Sequence, residues 1–142
     1  MAVSQLSIFA ENKPGGLVQM TSLLADAGVD IRAMSLADTQ DYGILRLIVS
    51  DIDRAREVLS ENGLVSSVTQ VLAVALDNTP GALARAVKVL YDGGINVEYM
   101  YAFISPQPYA CMILRVADNR RAEQILSENT FKLISMDDIN QM

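Results

Sequence analysis

The strongest constraint on the fold is that the chain repeats itself. Slid on itself by 66 residues, ENKPGGL (11–17) falls on DNTPGAL (77–83), and Leu24, Asp26 and Gly28 fall on Leu90, Asp92 and Gly94. Met34 falls on Met100. Past a loop the offset becomes 67: Asp51, Arg54 and Ala55 meet Asp118, Arg121 and Ala122, and LSEN recurs at 59–62 and 126–129. Conservative pairs such as Ile8/Val74, Val29/Ile95 and Val58/Ile125 extend the match. A period this long marks a duplicated domain rather than a short solenoid unit. The expected domains are 1–70 and 71–142, each small but large enough for a modest core.

One unit can be read from its own residues. Leu6, Ile8 and Ala10 alternate with Ser7 and Phe9, as Leu72, Val74 and Leu76 do with their neighbours, which is strand periodicity. Pro14 and Pro80 suit a first helical position, where the missing N–H loses nothing. Leu17, Met20, Leu24 and Ala27 recur at helical spacing, as do Leu83, Ala86, Val87 and Leu90. Gly28 and Gly94 read as left-handed helix ends. Strands follow at 31–38 and 44–50, and at 97–104 and 111–117. Their turns are Asp41-Tyr42-Gly43 and Ser105-Pro106-Gln107-Pro108. Asp51 and Asp118 are expected to cap a second helix, which buries Ala55, Val58 and Leu59, or Ala122, Ile125 and Leu126. Last strands are expected near 64–70 and 131–137. The order strand–helix–strand–strand–helix–strand gives a ferredoxin-like α+β unit, an antiparallel sheet with both helices on one face, twice over.

Composition narrows the function. The net charge of −6 disfavours nucleic acid, where affinity comes from Lys and Arg on phosphates, and disfavours an anionic membrane surface. A chain without His has no Ser–His or Cys–His catalytic pair and lacks most transition-metal sites. No Gly-rich nucleotide loop is present. We expect no catalytic residue, no metal and no cofactor. The single Cys111 fits a reducing compartment and reads as a small packed strand residue. No signal peptide or membrane-length apolar run is evident, so the expected location is the cytoplasm.

The chemically suggestive element is the Pro-Gly turn before the first helix of each copy. Backbone N–H groups at a helix N-terminus, aided by the helix dipole, suit a carboxylate. Gly15, Gly16 and Gly81 let a ligand approach the backbone. Asn96 offers both a donor and an acceptor, as a zwitterion demands. Its counterpart Asp30 suits an ammonium but repels a carboxylate. Ordinary turn chemistry would also explain both residues.

These residues carry a resemblance. Asp77, Pro80, Gly81 and Leu83, then a helix, then Gly94, Ile95, Asn96 and Val97, resemble the pattern of the ACT domain. The first copy matches as Glu11, Pro14, Gly15, Leu17, Gly28, Val29, Asp30 and Ile31, departing at the acidic residue and at the Asn. The resemblance spans nearly the whole chain and is to stand-alone tandem ACT proteins. It implies amino-acid binding at the strand-one/helix-one loop against a neighbouring unit, and regulation of an enzyme of amino-acid metabolism.

The expected ligand-binding residues are Asn12, Lys13, Pro14, Gly15, Gly16 and Leu17 with Asp30 and Met34 in the first copy. In the second they are Asn78, Thr79, Pro80, Gly81, Ala82 and Leu83 with Asn96 and Met100. The sheet face away from the helices presents Tyr99, Tyr101, Phe103 and Ile113 in copy two, and Ala33, Ser35, Ala37, Ile44 and Ile48 in copy one. An apolar stripe this long is expected to be covered, most simply by a second chain in a homodimer. The function expected is therefore a non-catalytic regulatory protein that binds a small amino acid and acts on a metabolic enzyme. The alternatives are a ferredoxin-like enzyme using carboxylates with Tyr or Cys111 in a dimer cleft, and an interaction module without a ligand.

Overall fold

A computed structural model describes residues 2–11, 13–38, 42–103 and 105–142. The elements run β1 (Val3–Glu11), α1 (Gly16–Asp26), β2 (Ile31–Asp38), β3 (Tyr42–Val49), α2 (Ile52–Glu61), β4 (Ser66–Leu76), α3 (Ala82–Asp92), β5 (Val97–Phe103), β6 (Ala110–Val116), α4 (Asn119–Glu128), β7 (Lys132–Ile134) and α5 (Met136–Asn140). The chain divides into two compact units, Ser4–Thr69 and Gln70–Met142, the second also taking Val3. Asp41, one residue of the expected first turn, lies outside the described residues.

In the first unit the strand order is β4-β1-β3-β2. β3 runs antiparallel to β1 (Leu6 opposite Leu47) and to β2 (Met34 opposite Leu47). In the second unit the order is β7-β4-β6-β5, with Leu72 opposite Leu114 and Met100 opposite Leu114. Both are the order of a ferredoxin-like βαββαβ unit.

Each unit has its own core on the helical face of its sheet. Leu6, Ile8, Leu45, Leu47 and Val49 meet Met20, Leu24, Ala55 and Leu59 in the first. Leu72, Val74, Leu76, Leu114 and Val116 meet Ala86, Leu90, Ala122 and Leu126 in the second. Asp51 and Asp118 cap α2 and α4, their carboxylates accepting from the N–H of Arg54 and Arg121, both at 3.1 Å. Gly28 and Gly94 have φ of 74° and 78°. The N–H groups of Val29 and Ile95 reach back to the carbonyls of Leu24 and Leu90, both at 2.9 Å, closing a Schellman motif at each end.

Three expectations are corrected. The expected strand at 64–70 and the next at 71–76 are one strand, β4, because SSVTQVLAVAL holds no turn residue. The strand expected at 131–137 stops at Ile134; Ser135 and Asp138 then form a reciprocal capping box that starts α5. The buried line of α3 is Ala82, Ala86 and Leu90; Leu83 and Val87 are 40% and 37% exposed, one step round the helix from that line. Leu17 is likewise 39% exposed.

The sheet face away from the helices carries the expected apolar stripe, with Tyr101 opposite Ile113. Tyr101, Phe103 and Ile113 are buried and Tyr99 is half-buried; Ala33 and Ile48 are buried too.

Candidate functional site

The two Pro-Gly loops have the same geometry. Gly15 has φ 91° and ψ −16°, and Gly81 has φ 89° and ψ −10°. The N–H of Gly16 donates to Lys13 O, and that of Ala82 to Thr79 O, both at 3.3 Å. Pro second, a left-handed Gly third and a bond from fourth to first residue describe a type II turn. Pro14 and Pro80 thus precede the helix cap and do not open the helix, as the sequence had suggested, because the left-handed Gly takes the cap itself.

Neither α1 nor α3 has a side-chain cap. The N–H groups of Leu83 and Ala84 find no acceptor among the described residues, and those of Leu17 and Val18 match them. Free donors at the positive end of a helix attract a carboxylate. Asn12 lies outside the described residues. Lys13, Asn78, Thr79 and Pro80 are exposed on the loops.

The residues expected opposite the loops differ between copies. Asp30 is engaged: its carboxylate pairs with Arg32 at 3.2 Å, and its backbone exchanges bonds with Ser50, both at 2.9 Å. Asn96 is exposed, and its side chain has no partner among the described residues. Its unit carries Ala117 where the first has Ser50. The register slips at the same place in both units, between Ile31 and Ala33 and between Val97 and Tyr99. Such slips re-aim strand side chains. Met34 is 43% exposed, whereas Met100 packs partly buried against the second core.

Hollows adjoin both loops. In the first unit, one of about 310 Å³ is lined by Phe9, Glu11, Lys13, Gly16, Gln19, Tyr42 and Gly63–Val65, among others. A second, of about 260 Å³, lies by Lys13, Leu17, Leu36 and Gly43. In the second unit, one of about 210 Å³ is lined by Ala75–Asp77, Arg85, Tyr109 and Thr130–Lys132. Position by position, this is the duplicate of the 310 Å³ hollow. Asp30, Met34, Asn96 and Met100 line none of the three.

Sequence reasoning missed these hollows, although one signal was present. Tyr42 and Tyr109 match at the offset of 67; Tyr42 stands across the sheet from Glu11, which ends β1, while Asp77 and Tyr109 each lie one residue beyond the Leu76–Ala110 pair. The lining differs elsewhere: Gln19 and Val65 give way to Arg85 and Lys132.

Cys111 is fully buried. Burial pushes its thiol pKa up, against smaller lowering by the Ser105 hydroxyl and the Lys132 charge. Among the described residues no Asp or Glu is buried, no cluster of potential metal ligands occurs, and no helix is long and apolar enough to cross a membrane.

Comparison with known proteins agrees with this architecture. The chain is similar to the crystallised protein BT0572 from Bacteroides thetaiotaomicron, at 35% identity and a TM-score of 0.93, covering 100% of this chain and 98% of that one. It resembles in fold the aspartate kinase regulatory subunit of Thermus thermophilus (17% identity, TM-score 0.64, 87% of each chain). That of Thermus flavus is also similar (15% identity, TM-score 0.60, 89% of this chain and 92% of that one). No curated protein matches the chain. The ACT domain pair model matches residues 1–142. With its two βαββαβ units and twin Pro-Gly loops, the chain belongs to the ACT domain pair family.

Proposed function

We propose that this chain is a non-catalytic regulatory protein that binds a small amino acid at its β1–α1 and β4–α3 loops and passes the binding event to a metabolic enzyme. The observation that carries this reading is the pair of uncapped helix N-termini, each behind a left-handed Gly, with backbone donors free to take a carboxylate. Family membership and the regulatory subunits of like fold support it. The second loop is the better site. Asn96 is uncommitted and neutral, while Asp30 is tied to Arg32 and would repel a carboxylate. An enzyme would want a shielded acid or base, and among the described residues the buried polar side chains are the neutral Gln5 and Ser7.

Calorimetric titration of the full chain with each of the twenty amino acids, at millimolar concentration, tests the proposal. At least one neutral amino acid is expected to bind, and Asn96→Asp to weaken it about tenfold, the size of one lost charge-assisted hydrogen bond. No heat from any of them would overturn it.

A further inference from the structure

The duplicated hollow has changed its chemistry between copies. Its frame is conserved by the fold: the end of the unit's first strand, the first turns of its first helix, the start of its third strand, and the turn after its second helix. In the first unit Gln19 and Val65 occupy two lining positions, one neutral and one apolar. In the second these are Arg85 and Lys132.

Both cations are held by rings. The Arg85 guanidinium lies 4.7 Å from the centroid of Phe131, and the Lys132 ammonium 5.8 Å from that of Tyr109. Aromatic faces orient a cation without neutralising it. Neither forms an ion pair among the described residues. Asp77 brings one carboxylate to the same hollow and is likewise unpaired. In a chain of net charge −6, two ring-held cations outside any ion pair among the described residues, facing Asp77 in the hollow and Asp138 within reach of the Lys132 charge, are a local reversal of sign.

Thr130 adds a second peculiarity. It takes φ 66° where the first unit has Gly63 at 73°, a conformation costly for a β-branched residue. The exchange puts a hydroxyl on the rim. That hydroxyl donates to the Asn129 carbonyl at 2.6 Å and keeps its acceptor lone pairs.

We propose that this hollow of the second unit is a binding site for an acidic α-amino acid. Two carboxylates meet Arg85 and Lys132, and the ammonium meets Asp77 and the Thr130 oxygen. The hollow carries two positive charges and one negative; the ligand carries the converse. The site takes Asp77 from the β4–α3 loop but uses side chains, not the free N–H groups at the start of α3, and does not depend on those donors.

The test is calorimetry on the full chain at low ionic strength, with L-aspartate, L-glutamate and succinate as probes. Arg85→Gln and Lys132→Val install the residues that the first copy uses at these positions, so the fold is respected. Each change should weaken L-aspartate or L-glutamate about tenfold, and the double variant should abolish binding. Any response to neutral amino acids, which reports the loop site, should be unaltered. Succinate, the aspartate skeleton without its ammonium, should bind more weakly than L-aspartate, and Asp77→Asn should erase that gap. Absence of binding by both acidic amino acids at 10-fold above ~1 mM overturns the proposal. So does acidic amino-acid affinity unchanged in the double variant, which would place that ligand elsewhere, or succinate binding as tightly as L-aspartate.

Discussion

At the turn after its second helix the first unit places Gly63 and the second Thr130, yet the backbone follows the same path. Leu64 and Phe131 return the same bond to Leu59 and Leu126, both at 2.9 Å. At the end of its first helix the first unit has Ala27 and the second Gly93, and again the path is shared. The comparison teaches that the duplicated frame is set by backbone hydrogen bonds and core contacts. Side chains around that frame are free to diverge, provided each change is compatible with its neighbours.

Gly93 offers the sharpest test of that compatibility. A Cβ there would run into Ile125, whereas the first unit carries Ala27 and the smaller Val58 at the matching positions. Gly93→Ala should cost about 1–3 kcal/mol by overpacking, measured by urea unfolding. Ile125→Val in the same chain should recover most of that loss by restoring the first unit's pair. A Gly93→Ala protein as stable as the parent would break the comparison.

The Gly63/Thr130 pair comes next. Gly63→Thr should destabilise by about 1–2 kcal/mol, the cost of a left-handed residue with a Cβ. Gly's freedom in the unfolded chain offsets about 0.5–1 kcal/mol of that cost, and Thr130→Gly should show the same two contributions with reversed sign, a gain of similar net size. The same unfolding measurement reads both; a marked difference in size between the two changes would show that the two turns are held by different contacts.

The smallest effect belongs to α5, which the first unit lacks. Hydrogen bonds from the Ser135 backbone and hydroxyl, aided by the Lys132 charge, hold the Asp138 carboxyl below its ordinary pKa of 3.8. A folded-state pKa below the unfolded value means that stability is present above the unfolded value and lost as pH falls through the folded one. Asp138→Asn should therefore lower stability slightly at neutral pH, and the difference from the parent should fade below pH 3.8. A difference independent of pH would show that the box works by shape alone.

Much of this frame was legible in the sequence because its punctuation is local. Gly28 and Gly94 end helices, and Asp51 and Asp118 begin them, through bonds spanning a few residues. The starts of α1 and α3 were misplaced by two residues because Pro-Gly starts helices and turns alike. α5 was missed because five residues show no periodicity, although Ser135 and Asp138 carried the capping spacing. The hollows were illegible for another reason: each gathers residues from four separate places, so only the fold brings Asp77, Arg85, Tyr109 and Lys132 together. The aromatic face was legible from parity, since Tyr101 and Phe103 alternate along β5 and both are buried.

The chain's one thiol has a practical consequence. Cys111 sits in the second unit, where the first has Ile44, and it is fully buried and held in its unreactive protonated form. Alkylating reagents need an exposed thiolate, so they can reach it only when β6 opens. Alkylation kinetics would time the openings of one half of a duplicated molecule and stay blind to the other.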